Sequence, residues 1–322
     1  MKDLKIIGKV LAYTLTAVIL LLLVLHFGVT AAYLDFFSNA KGGFLTPGMT
    51  AAYVPQGFEY IADADIYLSS GYMSDGTACR VYVRDGQGNT TWSALYYPDG
   101  RPYDQHAGGI CVNGDYAYLA ADGRVDVFLL ADILAGRDAV KQGEILTGYE
   151  MAFCSFYNGY LLTGDFYYPG TYETPEHHRI TTPAGDANTA LITVFKADPK
   201  AEFGIDPTPV AGISTREKVQ GICFTSNNEI VLSTSYGFAT SHLYFYTIDT
   251  ERVSAVQVLD GEVPLYYLDS ENLTKTVDMP PMSEELVYRD GRVWIMFESA
   301  SNKYIYGKFI RGYQVFGYDI TA

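Results

Sequence analysis

The chain has 322 residues, 48% of them apolar and 18% charged, enough to bury a sizeable core and too few charges for a disordered polymer. Its formal net charge is −15, from 22 Lys and Arg against 37 Asp and Glu. That balance argues against nucleic acid, whose capture rests on basic contacts to phosphates.

The first element differs from everything after it. Lys2, Lys5 and Lys9 precede an uncharged run from Val10 to about Thr30. About 20 apolar residues in a helix cross a bilayer, and a basic flank stays in the cytoplasm. We therefore expect residues 1–9 to be a cytoplasmic tail and 10–30 a single-pass signal anchor in the cell membrane. A linker over 31–42 and a folded domain over 43–322, outside the cell, should follow. A signal peptide cleaved after Val29-Thr30-Ala31 is the alternative, although its apolar region would be shorter.

Beyond the anchor the chain repeats itself. PQGFEYI (55–61) returns as AGGICVN (107–113), EMAFCSF (150–156), VQGICFT (219–225) and SEELVYR (283–289). The register residues are Gly57, Gly109, Ala152, Gly221 and Glu285. An aliphatic residue ends a second apolar run ten or eleven positions later, at Leu68, Leu119, Leu162, Leu232 and Ile295. A third run then alternates as a strand does: 80–85, 124–130, 191–198, 242–249 and 313–320. These runs are short, rich in Val, Ile, Tyr and Phe, and bounded by Gly, Asp and Asn, which is a strand signature.

Three strands and a weaker fourth, repeated at such spacing, predict an all-β β-propeller of five blades. The expected fourth strands are 90–97, 141–148, 208–213 and 253–259. The fifth repeat runs out of chain, and the unassigned stretch 43–53 is expected to close that last blade. Six blades result instead if 201–214 or 261–279 hides a degenerate repeat. In this frame Gly at the register position answers a need for close backbone approach near the axis.

Three of the four cysteines (Cys111, Cys154, Cys223) share one repeat position, and equivalent positions in different blades lie too far apart for a disulfide. With apolar neighbours, all four, Cys79 included, read as buried free thiols.

Polar residues recur at two places that should meet at one mouth of a central channel. Gln56, His106, Glu150, Gln220 and Glu284 lead into the inner strands; Asp122, Asp165, Ser235 and Glu298 end the second strands. Carboxylates around a histidine suit a ligand site, oxygen ligation of Ca²⁺, or acid/base chemistry. No metal site is assigned, and the cofactor is unknown. His177 and His178, in 175–188, read as ordinary exposed loop. The chain has no GxSxG, GxxxxGK, HExxH or complete GxGxxG motif.

The strand pattern over about 43–320 resembles the lactonase-like, gluconolactonase-like (SMP-30) and YncE-like propellers. The gluconolactonase-like group implies a channel metal held by Glu, Asn and Asp, and no residues here match those ligands one by one. The sequence thus yields two readings. One is a membrane-anchored extracytoplasmic propeller that binds a small molecule, glycan or protein partner at its mouth. The other is a hydrolase of lactones, esters or glycosides using channel carboxylates, with or without Ca²⁺.

Overall fold

A computed structural model describes residues 2–321. An α-helix over Lys2–Ala32 opens the chain. Its segment Lys5–Ala32 has a mean hydropathy of 2.5 in its most apolar window and is not buried by the rest of the protein. It is long and apolar enough to cross a membrane, a test that a signal sequence also passes.

The stretch expected to be linker is ordered instead. A short helix, Leu34–Asn39, leads into a strand at Ala40–Leu45. The cause is Phe36, which is fully buried and stacks on Tyr318 while meeting Phe297 and Phe316 edge-on. Burying one such ring stabilises by about 2 kcal/mol, enough to order a short segment beside a sheet. The strand of the N-terminal segment is therefore 40–45; turns occupy most of the remainder of 43–53, and Tyr53 begins the next strand.

The rest is mostly β. Strands Tyr53–Ile61, Ile66–Met73, Arg80–Asp85 and Thr90–Tyr96 form an antiparallel meander. The second begins with Ile110–Asn113 and continues into Tyr116–Leu129. That element folds back at Asp122-Gly123: Gly123 is left-handed (φ 74°), and the Leu130 N–H donates to Asp115 O across the open end at 2.9 Å. The long strand Ala139–Tyr157 then serves twice. Its first part pairs with Arg124–Phe128, and its second with Tyr160–Asp165. Ala190–Ala197 and Ile205–Thr215 complete that third group.

The fourth group is Val219–Phe224, Ile230–Thr234, Ser241–Tyr246 and Leu273–Met279. Its outer strand is thus not 253–259. Ser254–Val258 pairs instead with Gly261–Tyr267 as an inserted hairpin, whose second strand pairs in parallel with Ile205–Thr215 and extends the preceding group. Val256, Val258, Val263, Leu265 and Tyr267 all pack in one cluster with Leu191, so the hairpin is held there by its apolar face. The last group is Ser283–Arg289, Arg292–Phe297 and Gln314–Asp319. Ala40–Leu45 pairs with Gln314–Asp319, Ala40 opposite Tyr318 and Leu45 opposite Gln314.

The first strand of each group packs against the first strand of the next, and Ser283–Arg289 packs against Tyr53–Ile61. At the centre the register residues crowd. A Cβ on Gly221 would lie 2.7 Å from Glu285 Cα, and one on Gly57 would lie 2.7 Å from Ile110 N. Glu285 is the single large residue at this level, and its buried Oε2 accepts hydrogen bonds from Phe58 N (2.6 Å) and Ile110 N (2.9 Å). Gly109 and Gly221 are small because this residue occupies the space beside them. All four cysteines are buried and free.

Candidate functional site

A cavity of about 590 Å³ opens at one end of the inner strands. Of the nine polar positions read from the repeat, seven line it: Gln56, His106, Asp122, Glu150, Gln220, Ser235 and Glu298. They converge because each stands where an inner strand begins or its neighbour ends, and these termini face the same way in every group. Volume and lining suit a small ligand, whose sites typically span about 300–1,000 Å³.

The electrostatics are graded. Glu298 accepts a hydrogen bond from Gln56 Nε2 at 2.9 Å. Burial nevertheless pushes its carboxyl up to about 7, against the opposing pull of Gln56 and Lys303. His106 lies against the Tyr72 ring, centroids 5.2 Å apart. Desolvation in the mouth holds its imidazole below the usual range, outweighing the attraction of Asp122, so the ring is neutral at physiological pH. Lys303 Nζ donates to Tyr72 OH at 2.7 Å and lies over the faces of Tyr72 and Tyr304. With Asp122 and Glu150 open to the cavity, the lining is acidic on balance.

Two of the expected residues lie elsewhere. Asp165 is buried beneath the 166–189 insertion, where its carboxylate accepts from the Leu191 N–H (2.6 Å) and pairs with His178 Nδ1 at 2.6 Å. Burial raises its carboxyl above the ordinary range even so, with His178 opposing. His178 is accordingly a buried partner, not exposed loop; Tyr149 meets its ring edge-on at 5.0 Å. Glu284 is also buried, outside the cavity lining, and burial followed by the nearby charges of Glu298 and Glu285 pushes its carboxyl well up.

The aromatic part of the wall escaped the sequence reading. Tyr72, Phe166, Tyr172, Tyr236 and Tyr304 line the cavity. Tyr236 stacks on Tyr168 at 3.8 Å. A signal existed: Tyr72, Phe166 and Tyr236 each stand four residues after Leu68, Leu162 and Leu232, the aliphatic residues of the second runs. At the other end of the inner strands a smaller pocket, about 240 Å³, is lined by Glu59, Tyr60, Tyr157, Tyr288 and Glu285 among others. Burial lifts Glu59 to about 7 there. Among the described residues no three His, Cys, Asp or Glu side chains are grouped closely enough to hold a metal ion.

No known protein family and no curated protein matches this sequence. Solved structures to which the chain is similar include proteins of β-propeller fold. The glutaminyl cyclase of Myxococcus xanthus has 12% identity and a TM-score of 0.45, over 86% of this chain and 94% of that one. The PQQ-bound aldose sugar dehydrogenase of Streptomyces coelicolor has 13% and 0.44, over 86% and 96%. A luciferin-regenerating enzyme has 10% and 0.43, over 86% and 95%.

Proposed function

We propose that this chain is a membrane-anchored, extracytoplasmic five-bladed β-propeller that captures a small, hydroxyl-rich molecule, such as a glycan unit, at the mouth of its channel. Support for the propeller comes from the cyclic packing of the five inner strands and from the N-terminal strand beside Gln314–Asp319. Support for the anchor is the apolar N-terminal helix behind three lysines.

One observation carries the binding reading: a single cavity gathers carboxylates, two primary amides and several aromatic faces. Amides and carboxylates offer paired hydrogen bonds to neighbouring hydroxyls, while aromatic faces cover the apolar side of a sugar ring. The acidic balance favours neutral or amino sugars over uronic acids. In a thermal-shift and calorimetric series on the full chain in detergent, neutral and amino sugars should stabilise it and uronic acids should not. Glu150→Gln and Asp122→Asn should each weaken capture about tenfold, the loss of one charge-assisted hydrogen bond. If no sugar of the series is bound, or if capture is unchanged in both variants, the reading fails.

One observation favours the hydrolase reading. Glu298, near 7, sits in the same cavity as a neutral His106, a pairing suited to proton transfer. Turnover of a lactone or aryl glycoside that disappears in Glu298→Gln would establish it.

A further inference from the structure

Which way the mouth faces follows from the path of the N-terminal segment. Leu45 lies opposite Gln314, at the cavity end of its strand, and Ala40 lies opposite Tyr318, at the far end. The short helix before Ala40 therefore descends from the cavity end toward the far end. Tyr33, just ahead of it, shares a 3.2 Å hydrogen bond with Thr240, in the loop that also carries Tyr236 and Gly237 of the cavity wall. The long apolar helix thus leaves the domain on the side where the cavity opens. Near its end His26 Nδ1–H donates to Phe309 O at 3.2 Å.

Phe309 belongs to residues 301–313, the segment that joins two strands at the cavity end and supplies Lys303 and Tyr304 to the cavity wall. Its composition is unlike the rest of an acidic protein. It contains Lys303, Lys308 and Arg311, four other aromatic or aliphatic residues besides Tyr304 and Phe309 (Ile305, Tyr306, Ile310, Tyr313), and no Asp or Glu. Ile305 and Phe309 are exposed, as is Leu34 at the start of the short helix. Phe238, 75% exposed, rests on Tyr306 with centroids 4.9 Å apart. Exposed apolar side chains among basic and aromatic ones, next to an apolar helix, match what a headgroup interface selects. Anionic lipids attract nearby Lys and Arg by about 1 kcal/mol each.

We propose that the rim sector formed by residues 301–313 and Phe238 inserts into the surface of the bilayer that the N-terminal helix crosses, so that the cavity opens beside the outer leaflet. This rests on the helix being a retained anchor. The insertion that supplies Phe166 and Tyr172 to the cavity wall pairs Glu173 with Arg179 but also carries Glu176 and Asp186, and the same lipids would repel that balance. The domain is accordingly tilted over its anchor, and the cavity stays open on the acidic side.

Nitroxide labelling tests this in the full chain, because the four native thiols are buried and single introduced cysteines label selectively. The positions are Phe238→Cys and Ile305→Cys on the rim, Tyr160→Cys at the far end of a strand, and Leu20→Cys in the helix. The protein is reconstituted in phosphatidylcholine vesicles with phosphatidylglycerol as the minor lipid, and relaxation by oxygen is compared with relaxation by a water-soluble nickel chelate. The proposal requires labels at 238 and 305 to favour oxygen, as the label at 20 does, while the label at 160 favours nickel. If 238 and 305 behave like 160 while 20 lies in lipid, the anchor stands and the rim contact is refuted. If the label at 20 is itself aqueous, the anchor reading has failed and takes the inference with it.

Discussion

Replacing Glu285 tests whether one carboxyl organises the centre of the fold. Its Oε2 satisfies two buried N–H groups, of Phe58 and Ile110, on the first strands of two other groups. Glu285→Ala leaves both without an acceptor; at about 1–3 kcal/mol for each stranded group, the expected loss is about 2–6 kcal/mol. Glu285→Gln keeps an oxygen in place and should lose under about 2 kcal/mol. The two also differ in pH dependence. Burial pushes the Glu285 carboxyl well above its ordinary range, so the folded protein holds a proton that the unfolded chain releases. Stability from that proton is fully present below the unfolded value of about 4.3 and is lost as pH rises toward the folded value. The Gln variant lacks this contribution, and its stability should fall less steeply between pH 5 and pH 8. Urea unfolding of the full chain in detergent, followed by near-ultraviolet ellipticity, measures both effects. An Ala variant within about 0.5 kcal/mol of the parent, the ordinary range for inconsequential surface changes, would refute the reasoning.

Gly109→Ala should destabilise by about 1–3 kcal/mol or more, because its Cβ would lie 2.6 Å from Glu285 Oε1 and Phe153 Cα; a lowered melting temperature checks it. His178→Ala strips the buried Asp165 of its ring partner and should lose about 3–5 kcal/mol in urea titration, while the folded fraction keeps its affinity for any sugar found to bind. Glu298, near 7, gains charge as pH rises through neutrality, so an N-trimethylated amino sugar, whose charge does not titrate, should bind more tightly at pH 8 than at pH 6. Glu298→Gln should flatten that difference in calorimetry.

The strand framework was legible because its cause is local. Gly109 and Gly221 are required where backbones approach Glu285, Gly57 where its strand approaches Gly108 and Ile110, and each carries the same apolar pattern behind it. Part of the cavity lining was legible for a related reason: Gln56 and Gln220 each stand one residue before a register glycine. Asp165 has the same offset as Asp122 yet was misplaced, because the 166–189 insertion folds His178 down onto it and no periodicity foretells a cover of that kind. The stretch 253–259 alternates like any outer strand. It pairs where it does because Gly261–Tyr267 takes the open edge of Ile205–Thr215 and carries it along as the outer strand of a hairpin. Phe36 lay hidden in an apparent linker because one ring carries no period at all.

The pairing of Ala40–Leu45 with Gln314–Asp319 has a consequence for biogenesis. Ala40–Leu45 is translated well before its partner and must wait for Gln314–Asp319 to emerge. Until then the earlier strand presents a bare backbone edge, the kind of surface that recruits neighbouring chains. A nascent polypeptide stopped short of Gln314 would keep that edge open to proteolysis and to other chains.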